Sequence, residues 1–190
     1  MRKRTTVRRL CLYALFSAVL CVISPIAIPI GAIPISFSAC AVLLCSIVLG
    51  GRAPIPVAVY LAAGALGIPV FAGGMAGFGV LLGPTGGFLW SYLPMSALTG
   101  TLYSALNRRC KAAGKRFAWT VVIGICGMLI CYLFGVVQYM LVANASVFSA
   151  ISVCVLPFLF FDLCKLVMIA LLGRRLTSLP AIREMMTDRS

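Results

Sequence analysis

The chain is 190 residues long, 63% hydrophobic and 10% charged, with 16 Lys and Arg against three Asp and Glu and no histidine. A soluble domain carries about 25% charged residues, and the mean hydropathy of +1.14 excludes one; the composition points to an all-α integral membrane protein with a single transmembrane domain over residues 1–190, since a barrel would show apolar and polar positions in alternation. The formal charge of +13 would suit a nucleic-acid binder, but the basic residues cluster between apolar runs with no aromatic stacking surface among them, which is the pattern of membrane topology.

Residues 1–9 hold Arg2, Lys3, Arg4, Arg8 and Arg9 ahead of an apolar run from about Leu10 to Ser24. This resembles the start of a signal peptide, but Pro25-Ile26-Ala27-Ile28-Pro29 is a poor cleavage site and further apolar runs follow, so an uncleaved first helix is expected. A span needs about 20 mostly apolar residues, and six segments qualify. After the first come Phe37–Leu49, Pro54–Gly67, Gly87–Leu106, Phe117–Val142 and Leu156–Leu172. The second and third are short and are expected to be completed by the proline-rich stretches beside them.

Charge placement orients the spans. With the N-terminus inside, residues 1–9, the Arg52 turn, the 107–116 loop and the 173–190 tail hold five, one, five and four basic residues. The outer loops near 25–36, 68–86 and 143–155 hold none, as the positive-inside rule requires. Both termini are therefore expected in the cytoplasm. The outer loops are apolar, and the second, Gly67 to Phe88, is rich in glycine, including Gly73, Gly74 and Gly77. A solvated loop would carry charge. This one reads as a lid or re-entrant segment, with glycines that let backbone approach a ligand closely and offer it N–H and C=O groups.

The nine cysteines are scattered without a Cys-x-x-Cys pair and read as small packing residues. With no histidine and no thiol cluster, neither a zinc nor a haem site is expected. Gly83-Pro84-Thr85-Gly86-Gly87 lacks the Gly-Lys-Ser/Thr ending of a phosphate loop, and no other segment supplies one. If the protein moves something against a gradient, the energy is therefore expected to come from a partner or an ion.

The last span carries the informative residues. Asp162 is the only acidic residue before Glu184, and Lys165 follows one helical turn later. An ionised group at the bilayer centre costs roughly 2.5–3.5 kcal/mol, so a carboxylate here is read as functional, with a purely structural pair that locks the last helix as the alternative. Residues i and i+3 share a helix face, which turns both charges the same way, into the bundle. Asp162 precedes Arg174, at the inner boundary, by 12 residues. At 1.5 Å per residue that is about 18 Å, which places it in the outer half of a core about 30 Å thick.

Taken together, these residues resemble the BioY family, the substrate-binding component of biotin transporters. The resemblance is carried by Phe71-Ala72-Gly73-Gly74 through Gly83-Pro84-Thr85-Gly86-Gly87-Phe88, by Pro157-Phe158 followed by Asp162 and Lys165, by Ile33-Pro34-Ile35-Ser36, and by Cys131-Tyr132-Leu133-Phe134-Gly135. It covers nearly the whole chain. The chain departs from the family pattern at Phe161, Ser38, Met75 and Gln138, where the family often has glycine, glutamine, a polar residue and tryptophan.

The resemblance implies an S component of an energy-coupling factor (ECF) transporter: a six-helix membrane subunit that captures biotin and works with a transmembrane coupling protein and two cytoplasmic ATPases in a bacterial cell membrane. It implies no cofactor and no enzymatic activity. Ala14 and Ala18, small residues four apart, are the expected contact with the coupling protein, since such spacing lets helices approach closely in lipid. Within the site, Asp162 can accept from N–H groups and Lys165 can bond a carbonyl or pair with a carboxylate, and the sequence does not say which end of biotin meets which charge. Gln138, Tyr139 and Ser38 would add hydrogen bonds, with Thr85 and the loop glycines around them, and Phe71, Phe78 and Phe158 would cover the thioether ring. The rivals are an S component for a different vitamin, a proton-coupled secondary carrier using Asp162, and an intramembrane acid-base enzyme, which the absence of a nucleophile–base pair disfavours.

Overall fold

The computed structural model of the chain describes residues 2–28, 33–109 and 113–178. Met1, the 29–32 stretch of the first outer loop, residues 110–112 of the basic loop and the tail beyond Ser178 lie outside the described residues. The fold is a helical bundle, and each of the six expected spans is present as a helix.

Helix α1 covers Arg2–Ile23 and leads to a two-stranded antiparallel hairpin, β1 (Ala27–Ile28) and β2 (Ile35–Ser36), in which Ala27 faces Ser36 and Ile28 faces Ile35. Helix α2 follows at Ser38–Leu49, a 3₁₀ turn at Gly50–Arg52, then α3 at Pro54–Ala65. Pro54 and Pro56 sit in the first turn of α3, where a missing N–H costs nothing. The second outer loop folds into a 3₁₀ turn at Ala72–Gly74 and a short helix α4 (Phe78–Leu82). Helices α5 (Gly86–Arg109) and α6 (Ala113–Ala143) form the most extensive pairing in the bundle. A short outer helix α7 (Val147–Cys154), capped by the Ser146 hydroxyl, passes through Val155 into α8 (Leu156–Ser178).

Helix α2 is the hub. It is buried almost all round its circumference, as a helix enclosed by others must be, and it touches α1, α5, α6 and α8. Lipid tails are as apolar as leucine, so close van der Waals packing holds such helices together rather than a hydrophobic effect. Gly100 shows how tight the packing is: a Cβ there would run into the Gly50 carbonyl oxygen. Gly127 likewise leaves room for Thr99 and Leu43.

The 114–143 helix, with a hydropathy of 2.5, and the 147–173 run, at 2.3, are each long and apolar enough to cross a membrane, and the 9–23, 38–52 and 54–65 helices are shorter apolar segments. The cysteines among the described residues are free thiols, and several of them, Cys40, Cys45, Cys131 and Cys154, fill core positions.

Candidate functional site

On α8, Phe158, Asp162, Lys165 and Ile169 lie at successive steps of four, three and four residues and are all buried. Leu159, Phe160, Leu163, Val167 and Leu171, on the opposite side, are exposed. This is one inward stripe on an otherwise lipid-type helix. Asp162 and Lys165 are each 7% exposed, and Lys165 Nζ donates to Asp162 Oδ1 at 3.1 Å.

Each charge has a second partner from another element. Tyr132 of α6 donates its hydroxyl to Asp162 Oδ2 at 2.6 Å. Lys165 Nζ donates to the Ser36 carbonyl oxygen at 2.9 Å and lies 5.3 Å from the centre of the Phe37 ring, within the range of a cation–π attraction. Three elements thus meet at the pair: α8, α6 and the end of the β1–β2 hairpin. The two charges offset each other's burial, but the set is not saturated. A carboxylate offers about four lone-pair sites and an ammonium three donors, so acceptor capacity remains on Asp162 and one donor on Lys165.

The pair forms one wall of a cavity of about 640 Å³, counting the part continuous with solvent. Sites that hold small ligands are mostly apolar with a few placed polar groups. The lining matches that description. Phe71, Val80, Phe88, Leu89, Met128 and Phe158 supply apolar surface, and Ser36, Ser38, Thr85, Tyr92 and Tyr132 join the charged pair on the polar side. Phe88 and Phe158 stack at 6.3 Å between ring centres with their planes 30° apart. Phe71 is fully buried, sits edge-on to Tyr60 at 5.7 Å, and fills the hollow left by Gly64, where a Cβ would strike its ring.

The glycine-rich loop takes the unusual backbone angles that the sequence suggested, but its N–H groups are bonded within the protein. Gly73, Gly74 and Gly77 have φ of 70, 75 and 93°, the left-handed region that suits glycine. Their amides are already used: Gly73 N–H donates to Pro25 O at 3.1 Å, Gly74 to Phe71 O at 3.0 Å and Gly77 to Gly64 O at 2.8 Å. The expected offer of these N–H groups to a ligand is corrected accordingly. The glycines bend the loop and pin it to the end of α3 and to the stretch before β1, and that bend carries Phe71, Ala72 and Met75 into the lining.

Of the residues expected at the site, Asp162, Lys165, Phe71, Phe158, Thr85 and Ser38 line the cavity. Gly73, Gly74, Gly77, Phe78, Gln138 and Tyr139 are not in its lining. Phe78 is 56% exposed. Tyr139 packs with Ile33, Ile35, Cys154 and Phe158. Gln138 is bonded to the carbonyls of Leu81 and Gly83. Tyr132, Tyr92, Ser36, Met128 and Phe88 line the cavity without having been expected as ligand contacts, although Ser36, Phe88 and Tyr132 lie in the motifs that carry the resemblance. Ala14 and Ala18 are on the exposed face of α1 beside Leu15 and Val22, while Phe16, Ser17 and Leu20 face inward.

Comparison with known proteins places this geometry in a family. The model of the BioY family matches residues 1–181. "Biotin transporter BioY" of Thermotoga maritima is 36% identical over 177 residues, 93% of this chain and 99% of that protein. "Biotin transporter BioY2" of Lactococcus lactis subsp. cremoris is 34% identical over 90% of this chain and 91% of its own length. A crystal structure of an S-component for biotin from an ECF-type ABC transporter superposes with a TM-score of 0.86 over 98% of this chain and 99% of that one, at 21% identity, and supports the fold.

Proposed function

The chain belongs to the BioY family, and from that membership and the geometry of the cavity we propose that it is the biotin-binding membrane subunit of an ECF-type transporter. The observation that carries the reading is the Asp162–Lys165 pair, buried on an otherwise apolar stretch of α8 and lining a mostly apolar cavity.

The chemistry of biotin suits that cavity. Its ureido ring has two N–H donors and a carbonyl, its second ring is an apolar thioether, and its side chain ends in a carboxylate. Asp162 has acceptor sites left for ligand N–H groups, and Lys165 has a donor left for a carbonyl or carboxylate oxygen. Bonds to ionised partners are about twice as strong as neutral ones, so two such contacts fix the ligand's orientation. Phe71, Phe88 and Phe158 offer flat apolar surface for the ring system. Tyr132 holds the Asp162 carboxylate in place and Ser36 O holds the Lys165 ammonium, so neither group needs to be reorganised when the ligand arrives.

On this reading the role is capture and carriage. The energy comes from partners: a transmembrane coupling protein and two cytoplasmic ATPases, with Ala14 and Ala18 on the exposed face of α1 as the contact with the coupling protein. The chain is a membrane protein, and the distribution of its basic residues supports a six-span arrangement in the cell membrane with both ends in the cytoplasm. The cavity then opens to the outside, where the vitamin arrives.

Native mass spectrometry of the subunit purified from cells grown with biotin tests this. One bound biotin per chain, displaced by added biotin and not by other vitamins, is the expected result. A different co-purifying vitamin would overturn the substrate and keep the architecture.

A further inference from the structure

Helix α4 contributes to the wall of the cavity. Val80 lines the cavity and Leu81 is buried, while Phe78 and Leu82 on its other face are exposed. Five residues make little more than one turn, too short to be stable alone, and glycine flanks both ends: Gly77 at φ 93° and Gly83 in extended conformation. Something outside the helix must hold it in place.

The carbonyls at a helix C-terminus have no partners within the helix, and here other helices supply them. Gln138 of α6 donates its amide to Leu81 O and to Gly83 O, both at 2.8 Å. Trp90 of α5 donates its indole N–H to the same Leu81 O at 3.1 Å. The approach depends on two glycines. A Cβ on Gly86 would meet Leu81 O and the Gln138 amide, and one on Gly87 would meet Phe134 O. At the other end, Gly77 N–H reaches Gly64 O. Gln138 is absent from the cavity lining, so its amide is committed to α4.

We propose that Gln138 is a positioning residue that latches α4 over the cavity, and that its amide sets how fast a ligand enters and leaves without touching it. The ligand part rests on the reading that the cavity takes biotin; the latch itself does not.

The test uses the full chain in lipid nanodiscs, wild type against Gln138→Leu and Gln138→Met, two substitutions of similar size that cannot donate. Without ligand, amide exchange over residues 78–86 should rise roughly tenfold, the scale of losing two neutral hydrogen bonds, while amides of α6 and α8 stay as they are. Trp90 emission should shift in a Trp119→Phe background, where Trp90 is the only tryptophan of the chain's two. Unchanged exchange at 78–86, or a uniform rise through every helix, would overturn the latch. With biotin, association and dissociation rate constants should both rise roughly tenfold, leaving the Kd little changed. A faster dissociation with unaltered association would assign Gln138 to the ligand instead and overturn the proposal. Should the wild-type chain take up no biotin, the substrate reading fails while the ligand-free exchange still decides the latch.

Discussion

Replacing Lys165 by methionine removes three contacts at once: the 3.1 Å bond to Asp162, the 2.9 Å bond to Ser36 O and the contact with the Phe37 ring. Asp162 is left buried with only the Tyr132 hydroxyl beside it. Removing one partner of a buried ion pair costs about 3–5 kcal/mol, whereas replacing both by apolar groups of similar size is near neutral. In a chain of this length each kcal/mol moves the melting temperature by about 2–4 °C, so Lys165→Met should melt roughly 10 °C below wild type. The double variant Asp162→Leu/Lys165→Met should recover most of that loss. Thermal unfolding in detergent reads the stability and equilibrium binding of labelled biotin reads the function. The double variant should be stable and unable to bind, which separates a ligand-holding role from a purely structural one. Additive losses in the double variant, or biotin binding by it at wild-type affinity, would refute the reasoning.

Further outcomes follow from the same geometry. Tyr132→Phe removes one bond to an ionised group, worth about 1.5–3 kcal/mol, and should weaken biotin binding by tenfold or more in equilibrium titration, with the fold intact by circular dichroism. Gly135→Ala places a Cβ against the Phe88 ring, which lines the cavity. Overpacking costs about 1–3 kcal/mol, and the displaced ring should lower affinity more than it lowers the melting temperature. In a cysteine-free background, Ser149→Cys on α7 should react with a membrane-impermeant thiol reagent from outside intact cells, and Gly114→Cys at the start of α6 should react only after permeabilisation. The reverse pattern would invert the proposed orientation.

The pair on α8 was legible in the sequence because charge in an apolar run has no cheap explanation, and an i, i+3 spacing fixes a shared face without knowledge of the rest of the fold. The long helices were legible for the same kind of reason, since the length of an apolar run is a local signal. Tyr132 was not. A tyrosine in an apolar helix is usual, and its partner lies 30 residues further along the chain. Gln138 was read as a ligand contact because an amide in a span must bond to something, but the sequence does not say that the carbonyls of Leu81 and Gly83 come within reach. The glycines at 73, 74 and 77 were rightly suspected of unusual backbone angles, whereas the destination of their N–H groups depends on where Pro25 and Gly64 end up. Helices α4 and α7 went unseen because five and eight residues fall below the 11–18-residue window in which a helical period shows.

Calorimetric titration of the purified subunit with biotin in nanodiscs, run beside Asp162→Asn, tests the central claim most directly. The account predicts saturable binding of one biotin per wild-type chain and its loss in the variant, which keeps the shape of the carboxylate but not its charge. Equal binding by the two proteins would contradict it.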